Sequence, residues 1–375
     1  MIKNTDILIV GAGVSGLLVA LELCLAGRTV TILEKSQVGR ESSWAGGGIL
    51  LPIYPWRQAE AISELVIKSL DKFPDLAERL KASTGIDAEL RSCGMLICKN
   101  PDVNAALTWC QKYHVAVQTA PQAKTEALQT VLQDALWLPE ISQIRNPRFL
   151  QALQAFLAQK GVTFVENVEI NRVVIKDRFI NRLETNIDTY SLNQLVICAG
   201  AWTAEFLQNY FAVGNTGLKL AIQPIKGQML VFDAKPNTLA HMILDGDQYL
   251  IPRRDGRILA GSTVEQAGFD KNTTETARQK LSEFAINLMP ILKQFEISHH
   301  WAGLRPGTPD GIPYIGKHPD YDNLSINAGH FRNGLVMGPA SAELLADRIL
   351  ERSSSLNVQA YAINRNRYQI KLSGI

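Results

Sequence analysis

The chain runs into an unbroken apolar stretch, Ile7-Leu8-Ile9-Val10, which passes at once into Gly11-Ala12-Gly13-Val14-Ser15-Gly16. Apolar positions then recur at helical spacing from Leu17 to Ala26, Gly27 stops them as a C-cap glycine does, and a second short run extends from Thr29 to Leu33. The pattern predicts strand, glycine turn, helix, strand. A first strand apolar at every position fits a parallel sheet covered on both faces.

Farther on the periods alternate less regularly. Ala59 to Leu80 reads as helix interrupted at Pro74, Gly94 to Cys98 as a short strand, and Phe149 to Gln159 as an amphipathic helix followed by the strand Thr163-Phe164-Val165. Leu195 to Cys198 is another buried strand, ending at Ala199-Gly200. From Leu218 to about Ser262 the pattern favours antiparallel pairing, with Tyr249-Leu250-Ile251 and Arg257-Ile258-Leu259 flanking the turn pair Asp255-Gly256. Thr276 to Leu292 reads as helix, Trp301 to Val336 as a loop-heavy segment rich in Gly and Pro, and Ser341 to Leu350 as a last helix.

The expected class is therefore α/β: a Rossmann-type dinucleotide-binding domain and a second domain built on an antiparallel sheet. The first is drawn from residues 1–80, 146–215 and 300–375, the second from 81–145 and 216–299. With 46% hydrophobic and 20% charged residues, a chain of 375 residues matches an ordinary globular protein. A formal charge of +2 provides no basic field for nucleic acid or an anionic membrane, so the expected partner is small. Cys24, Cys93, Cys98, Cys110 and Cys198 lack metal-binding spacing and read as reduced core thiols; no metal is expected. With no signal-peptide pattern and no apolar run long enough for a bilayer, the expected location is the cytoplasm.

Gly11-x-Gly13-x-x-Gly16 between strand and helix, with Glu34 ending the next strand about twenty residues on, meets the context required of a dinucleotide fingerprint. Gly11 permits the tight turn, Gly13 lets the backbone approach a pyrophosphate, and Gly16 lets helix and sheet pack. The helix N-terminus favours the phosphates. Glu34 is expected to accept hydrogen bonds from ribose hydroxyls and to repel a 2′-phosphate. NAD and FAD use the same device, so the fingerprint alone does not separate them.

Longer motifs do. Ser42-Ser43-Trp44-Ala45-Gly46-Gly47-Gly48-Ile49-Leu50, Trp301-Ala-Gly-Leu-Arg305-Pro-Gly-Thr-Pro-Asp310-Gly-Ile-Pro-Tyr-Ile-Gly316 and Gly329-His330-Phe331-Arg332-Asn333-Gly334 resemble the D-amino-acid oxidase and glycine oxidase family of flavoproteins across essentially the whole chain. The likeness is greatest to the glycine-oxidase branch that serves thiamine biosynthesis. It implies FAD held by Val14, Ser15, Glu34, Lys35, Ser42, Ser43, Gly47, Gly48, Ile49, the Val168 backbone, and His330, Phe331, Arg332, Asn333, Gly334, Leu335 and Val336. Arg305 and Arg332 are expected on the substrate carboxylate, with Tyr249 as a hydroxyl partner. A related branch attaches its flavin through a cysteine in the region of Arg305 to Thr308; none stands here, so the flavin is expected to be non-covalent.

These residue types suit oxidation of an amine by flavin, in which a hydride leaves the substrate Cα and the protein mainly holds and orients. A guanidinium grips a carboxylate through two parallel hydrogen bonds, as lysine cannot. Either arginine could instead be a surface or ion-pairing residue, and Tyr249 simple packing; His330 could be a base, though a place in the flavin loop is preferred. A single fingerprint argues against a separate nicotinamide domain. The resemblance implies glycine and other small amino acids as substrates, oxygen as acceptor giving peroxide, iminoglycine supplied to the thiazole of thiamine, and a homo-oligomer. The alternatives are a D-amino-acid dehydrogenase passing electrons to a quinone, a sarcosine or D-amino-acid oxidase, and a flavin-binding scaffold without turnover, against which the arginine pair stands.

Overall fold

The computed structural model describes residues 2–99, 101–126, 128–129, 132, 134–211 and 219–365. Its opening strand, Ile2–Val10, is the axis of an eight-stranded sheet and pairs in parallel with Val30–Leu33 on one side and Thr189–Ile197 on the other. Leu324–Ala328 and Thr163–Val165 extend the parallel array, Tyr314–Lys317 closes one edge antiparallel, and the hairpin Ile170–Lys176 and Phe179–Thr185 lies alongside. Successive strand residues point to opposite faces. Ile7 and Ile9 accordingly enter the core beneath helices Val14–Leu25, Asn146–Gln159 and Gly338–Ile349, whereas Leu8 and Val10 enter the core on the other face. Each such fully buried aliphatic side chain contributes about 1.5–3 kcal/mol, which is why the apolar second half of this strand, Ile7 to Val10, lies at the centre, while its first residues, Ile2 to Asn4, are exposed.

Pro74 explains the interruption between Ala59 and Leu80. With no N–H to donate it sits in the first turn of a new helix, so the stretch folds as Glu60–Leu70 and Phe73–Thr84. Pro290 likewise ends the helix expected to reach Leu292, which spans Glu275–Leu288 and is followed by a 3-10 turn at Pro290–Gln294.

The second sheet also has eight strands, in the order Ile297–Gly307, Gln223–Phe232, Ile258–Gly261, Gln248–Pro252, Met242–Asp245, Met95–Ile97, Leu136–Leu138 and Gln118–Thr119. All neighbours are antiparallel except Met242–Asp245 against Met95–Ile97. The hairpin at Asp255-Gly256 forms as expected: Tyr249 faces Gly261, Pro252 faces Ile258, and Gly256 takes the positive φ of 95° that the turn needs. Leu230 and Phe232 face the helix Glu275–Leu288, while Met229 and Val231 face the opposite way.

Trp301 to Val336 is not the loop-heavy segment its composition predicted. Trp301 to Gly307 belongs to an eleven-residue strand paired with Gln223–Phe232 along its length, and two more strands follow before the 3-10 turn Phe331–Asn333. Glycine in a strand marks close backbone approach as often as a turn, and Gly303 does so here: a Cβ on it would lie 2.6 Å from Ala45 Cβ. We propose the two-domain division drawn above with its last boundary moved to Gly307, where that strand leaves the second sheet; Leu218 and the boundary at 215/216 lie outside the described residues. Among the described residues no helix is long and apolar enough to cross a membrane.

Candidate active site

Where the strands of the first sheet reach their C-terminal ends, at Val10, Leu33, Cys198 and Asn327, they face the Met229 side of the second sheet across a cleft of about 760 Å³. Open α/β sheets place ligands at this edge, and the volume is that of a pocket for a cofactor-sized molecule.

At one end lies the glycine turn. Gly11 takes φ of 103°, and a Cβ on it would meet the Cys198 carbonyl oxygen at 2.4 Å; one on Gly16 would meet the Gly11 carbonyl oxygen at 1.9 Å. Neither position admits a side chain while the turn keeps its shape. The following helix has no side-chain cap and no acidic residue in its first turn, so its positive end is left for an anion. Val14 N donates to Ser43 Oγ at 2.9 Å, joining the turn to the second glycine loop. Glu34 lines the same end, its Oε2 accepting from Ala12 N at 2.8 Å and its Oε1 from Ser36 N at 3.0 Å. The backbone thus aims the carboxylate.

The second loop begins as the short helix Glu41–Ala45 and continues through Gly46, Gly47 and Gly48. Gly48 has φ of 79°, and a Cβ there would fall 2.0 Å from the Ile144 carbonyl oxygen, so the loop lies flush against residues 142–144. Asn146 Nδ2 donates to the Ser43 carbonyl at 2.8 Å, and Trp301 Nε1 to the Ala45 carbonyl at 3.0 Å. Lys271 pairs with Glu41 at 2.8 Å and ties the second sheet's side to this wall.

At the other end stands Arg305, half-buried on the strand Ile297–Gly307 and not in a loop as expected. Its Nη2 donates to Ser262 Oγ at 2.8 Å and its Nη1 to the Thr263 carbonyl at 3.1 Å. Among the described residues no carboxylate lies within ion-pair distance of it. The guanidinium rests on the neighbouring strand over Gly227, where a Cβ would meet Nη1 at 2.1 Å. Burial pushes its pKa down to about 10, with Tyr249 opposing that shift and Arg332 adding to it, so it stays cationic at neutral pH. Tyr249 is buried, its ring against Gly261 and its hydroxyl 3.8 Å from Met229 Sδ. Arg332 also lines the cleft but reaches the turn between strands Met242–Asp245 and Gln248–Pro252, 3.4 Å from the Asp247 carbonyl and 3.9 Å from its carboxylate. His330 is buried, its Nε2 has no hydrogen-bond partner among the described residues, and burial pushes its pKa down to about 4, so it is neutral at neutral pH.

Residues 6–348 match the family described as DAO, FAD dependent oxidoreductase. The chain belongs to this family. It is 40% identical over 361 residues to the glycine oxidase of Pseudomonas aeruginosa, covering 95% of this chain and 98% of that one. It is 28% identical to the bifunctional protein ThiO/ThiG of Synechocystis, covering 97% of this chain and 54% of that one. The crystal structure of glycine oxidase from Geobacillus kaustophilus superposes with a TM-score of 0.89 at 27% identity, over 97% of this chain and 100% of that one.

As a member of the FAD-dependent oxidoreductases the chain is an FAD-dependent enzyme, and its cleft fits the cofactor. The glycine turn leaves no room for a Cβ, the helix N-terminus carries no side-chain cap and no acidic residue in its first turn, and the Glu34 carboxylate lines the same end of the cleft. Every site residue expected from the sequence lines the cleft except Gly16, which packs beneath it: Gly11, Gly13, Val14, Ser15, Glu34, Lys35, Ser42, Ser43, Gly47, Gly48, Ile49, Val168, Tyr249, Arg305 and His330 through Val336. Sequence reasoning missed Gly227, Met229, Gly303, Trp202 and Lys271, which also line it. A glycine inside an otherwise strand-like run, as in Ile225-Lys226-Gly227-Gln228-Met229, was the available signal for the first. All five cysteines are unpaired, and among the described residues no group of three or more His, Cys, Asp or Glu is placed to hold a metal.

Proposed function

We propose that the enzyme oxidises glycine and other small amino acids at the Cα–N bond, with oxygen as acceptor, and that the resulting imine is supplied to thiazole formation in thiamine biosynthesis. The observation that carries this reading is Arg305: a cation over a glycine floor, held by two uncharged oxygens and, among the described residues, left without a carboxylate of its own. A substrate carboxylate completes that arrangement through paired charge-assisted hydrogen bonds. Tyr249 adds a hydroxyl beside it, and Arg332 at the mouth supplies further attraction. FAD held along the glycine turn, Glu34 and the Gly47–Ile49 loop supplies the two-electron acceptor for the Cα–H bond. Neutral His330 and the scarcity of acids near Arg305 suit a reaction in which the protein orients an amine and exchanges few protons with it. With no cysteine from Arg305 to Thr308, FAD is held non-covalently.

The glycine oxidase relatives support the substrate, and the ThiO/ThiG relative, of which this chain matches about half, supports the biosynthetic role. We further propose a homo-oligomer, as the resemblance implies. The overall balance is glycine, oxygen and water giving glyoxylate, ammonia and hydrogen peroxide. Purified enzyme supplied with glycine in air is expected to form peroxide and ammonia in equal amounts. If glycine bleaches the flavin but only a quinone restores its colour rapidly, without peroxide, the enzyme is a dehydrogenase.

A further inference from the structure

Tyr249, Ile251 and Arg253 occupy alternate positions along the strand Gln248–Pro252 and the residue after it, so they share one face. All three meet the same residue of the glycine loop. A Cβ on Gly47 would lie 2.6 Å from Ile251 Cδ1 and 3.3 Å from Tyr249 Cε2, while Arg253 Nη2 donates to the Gly47 carbonyl at 2.8 Å. The other arm of the guanidinium, Nη1, donates to Gln143 Oε1 at 2.7 Å and to the Ile144 carbonyl at 3.3 Å. Gln143, buried, donates its Nε2 to the Pro252 carbonyl at 2.7 Å and bridges Ile49; Ile144 N donates to the Gly48 carbonyl at 2.9 Å. Gly47, Gly48 and Ile49 are therefore clamped between residues 143–144 and the strand that carries Tyr249.

Arg253 closes this clamp at a cost. It is 7% exposed, and its three acceptors are uncharged oxygens. The acids whose charges act on it, Glu89 and Asp255, already pair with Arg145 at 3.2 and 3.0 Å. Burial, reinforced by Arg145, pushes its pKa down to about 10. An aliphatic side chain would fill the same space without desolvating a cation. What only the planar fork does is fix oxygens from separate segments in one geometry.

We infer that Arg253 is a positioning residue for catalysis: it sets the Gly47–Ile49 loop against Tyr249, and so sets where bound FAD meets the wall that holds the substrate. The inference rests on the proposed reading that this loop borders the flavin. It assigns Arg253 no contact with substrate.

The test uses holoenzyme carrying Arg253→Met or Arg253→Lys and four readouts: FAD dissociation constant, visible spectrum of the bound flavin, rate of anaerobic bleaching per bound flavin at saturating glycine, and Tm. Arg253→Met is expected to weaken FAD on the order of ten- to hundredfold, to alter the bound-flavin spectrum, and to slow bleaching about tenfold or more, since small misplacements are costly. The apparent dissociation constant for glycine should stay within about twofold, because the Arg305, Ser262 and Thr263 contacts are untouched. Arg253→Lys keeps the charge and fewer donors, and should regain part of the FAD affinity and little of the rate. A lower Tm with unchanged spectrum and unchanged rate per bound flavin, in either variant, would overturn the inference and leave Arg253 a purely structural residue. Should glycine fail to bleach even the unsubstituted enzyme, the substrate reading falls, while FAD affinity and spectrum still decide the role of Arg253.

Discussion

Arg305→Ala is expected to lower kcat/KM for glycine by roughly thirtyfold to several thousandfold, because removing one partner of a buried charge pair costs about 2–5 kcal/mol. FAD should stay bound, since the side chain's partners, Ser262 Oγ and the Thr263 carbonyl, belong to the second sheet's side of the cleft. Arg305→Lys keeps the charge without the fork and should recover only part of the loss. Gly227→Ala tests the same point with the arginine present. The added methyl would displace the guanidinium end of a flexible chain from the 2.1 Å it now occupies, so the fold should survive while kcat/KM falls on the order of a hundredfold. An amine without a carboxylate is the control, and its slow turnover should hardly change in any of the three. Arg332→Ala should cost less than Arg305→Ala, because Arg332 already engages Asp247 at the mouth. Equal losses for both amines in Arg305→Ala would assign the arginine to the fold or the cofactor and remove it from the carboxylate.

Gly16→Ala is expected to yield protein largely stripped of FAD. The new Cβ would fall 1.9 Å from the Gly11 carbonyl oxygen, a backbone atom that cannot swing aside as a side chain can. Either the helix Val14–Leu25 lifts from the opening strand or the turn at Gly11 opens, and both move the N–H groups that would face the pyrophosphate. Overpacking of this kind typically costs about 1–3 kcal/mol, which should appear as a lower Tm and as FAD lost on gel filtration. Retained FAD and an unchanged Tm would show that helix and turn adjust without harm.

The fingerprint was legible because everything it needs is local: an apolar strand, three glycines at fixed spacing, a helix and one acid lie within about thirty residues. Composition misled at Trp301 to Gly307. Gly303 and Gly307 resembled turn residues, yet in the fold Gly303 makes room for Ala45 and Gly307 for Ile225, both within a strand. The resemblance found Arg305 and Arg332 but did not rank them. We propose Arg305 as the carboxylate's main partner because it sits on a strand with no acid within ion-pair distance among the described residues, whereas Arg332 lies beside Asp247. Glu34 was expected to accept from ribose hydroxyls and to repel a 2′-phosphate; what its position in sequence did not reveal is that its oxygens accept from Ala12 N and Ser36 N, so the carboxylate that lines the cleft also shapes the turn. Arg253 was invisible because its partner Gly47 is 206 residues away in sequence and no local pattern reports such a contact.

We propose that a small amino acid, gripped by its carboxylate, delivers two electrons directly to bound FAD. The most direct measurement is anaerobic titration of the flavin absorbance with glycine, sarcosine, D-alanine and D-proline, with no other reductant present. Glycine is expected to bleach the flavin completely, and denaturation to release the bleached cofactor as free FAD derivative with none left on the protein. A flavin spectrum unchanged by all four compounds would contradict it.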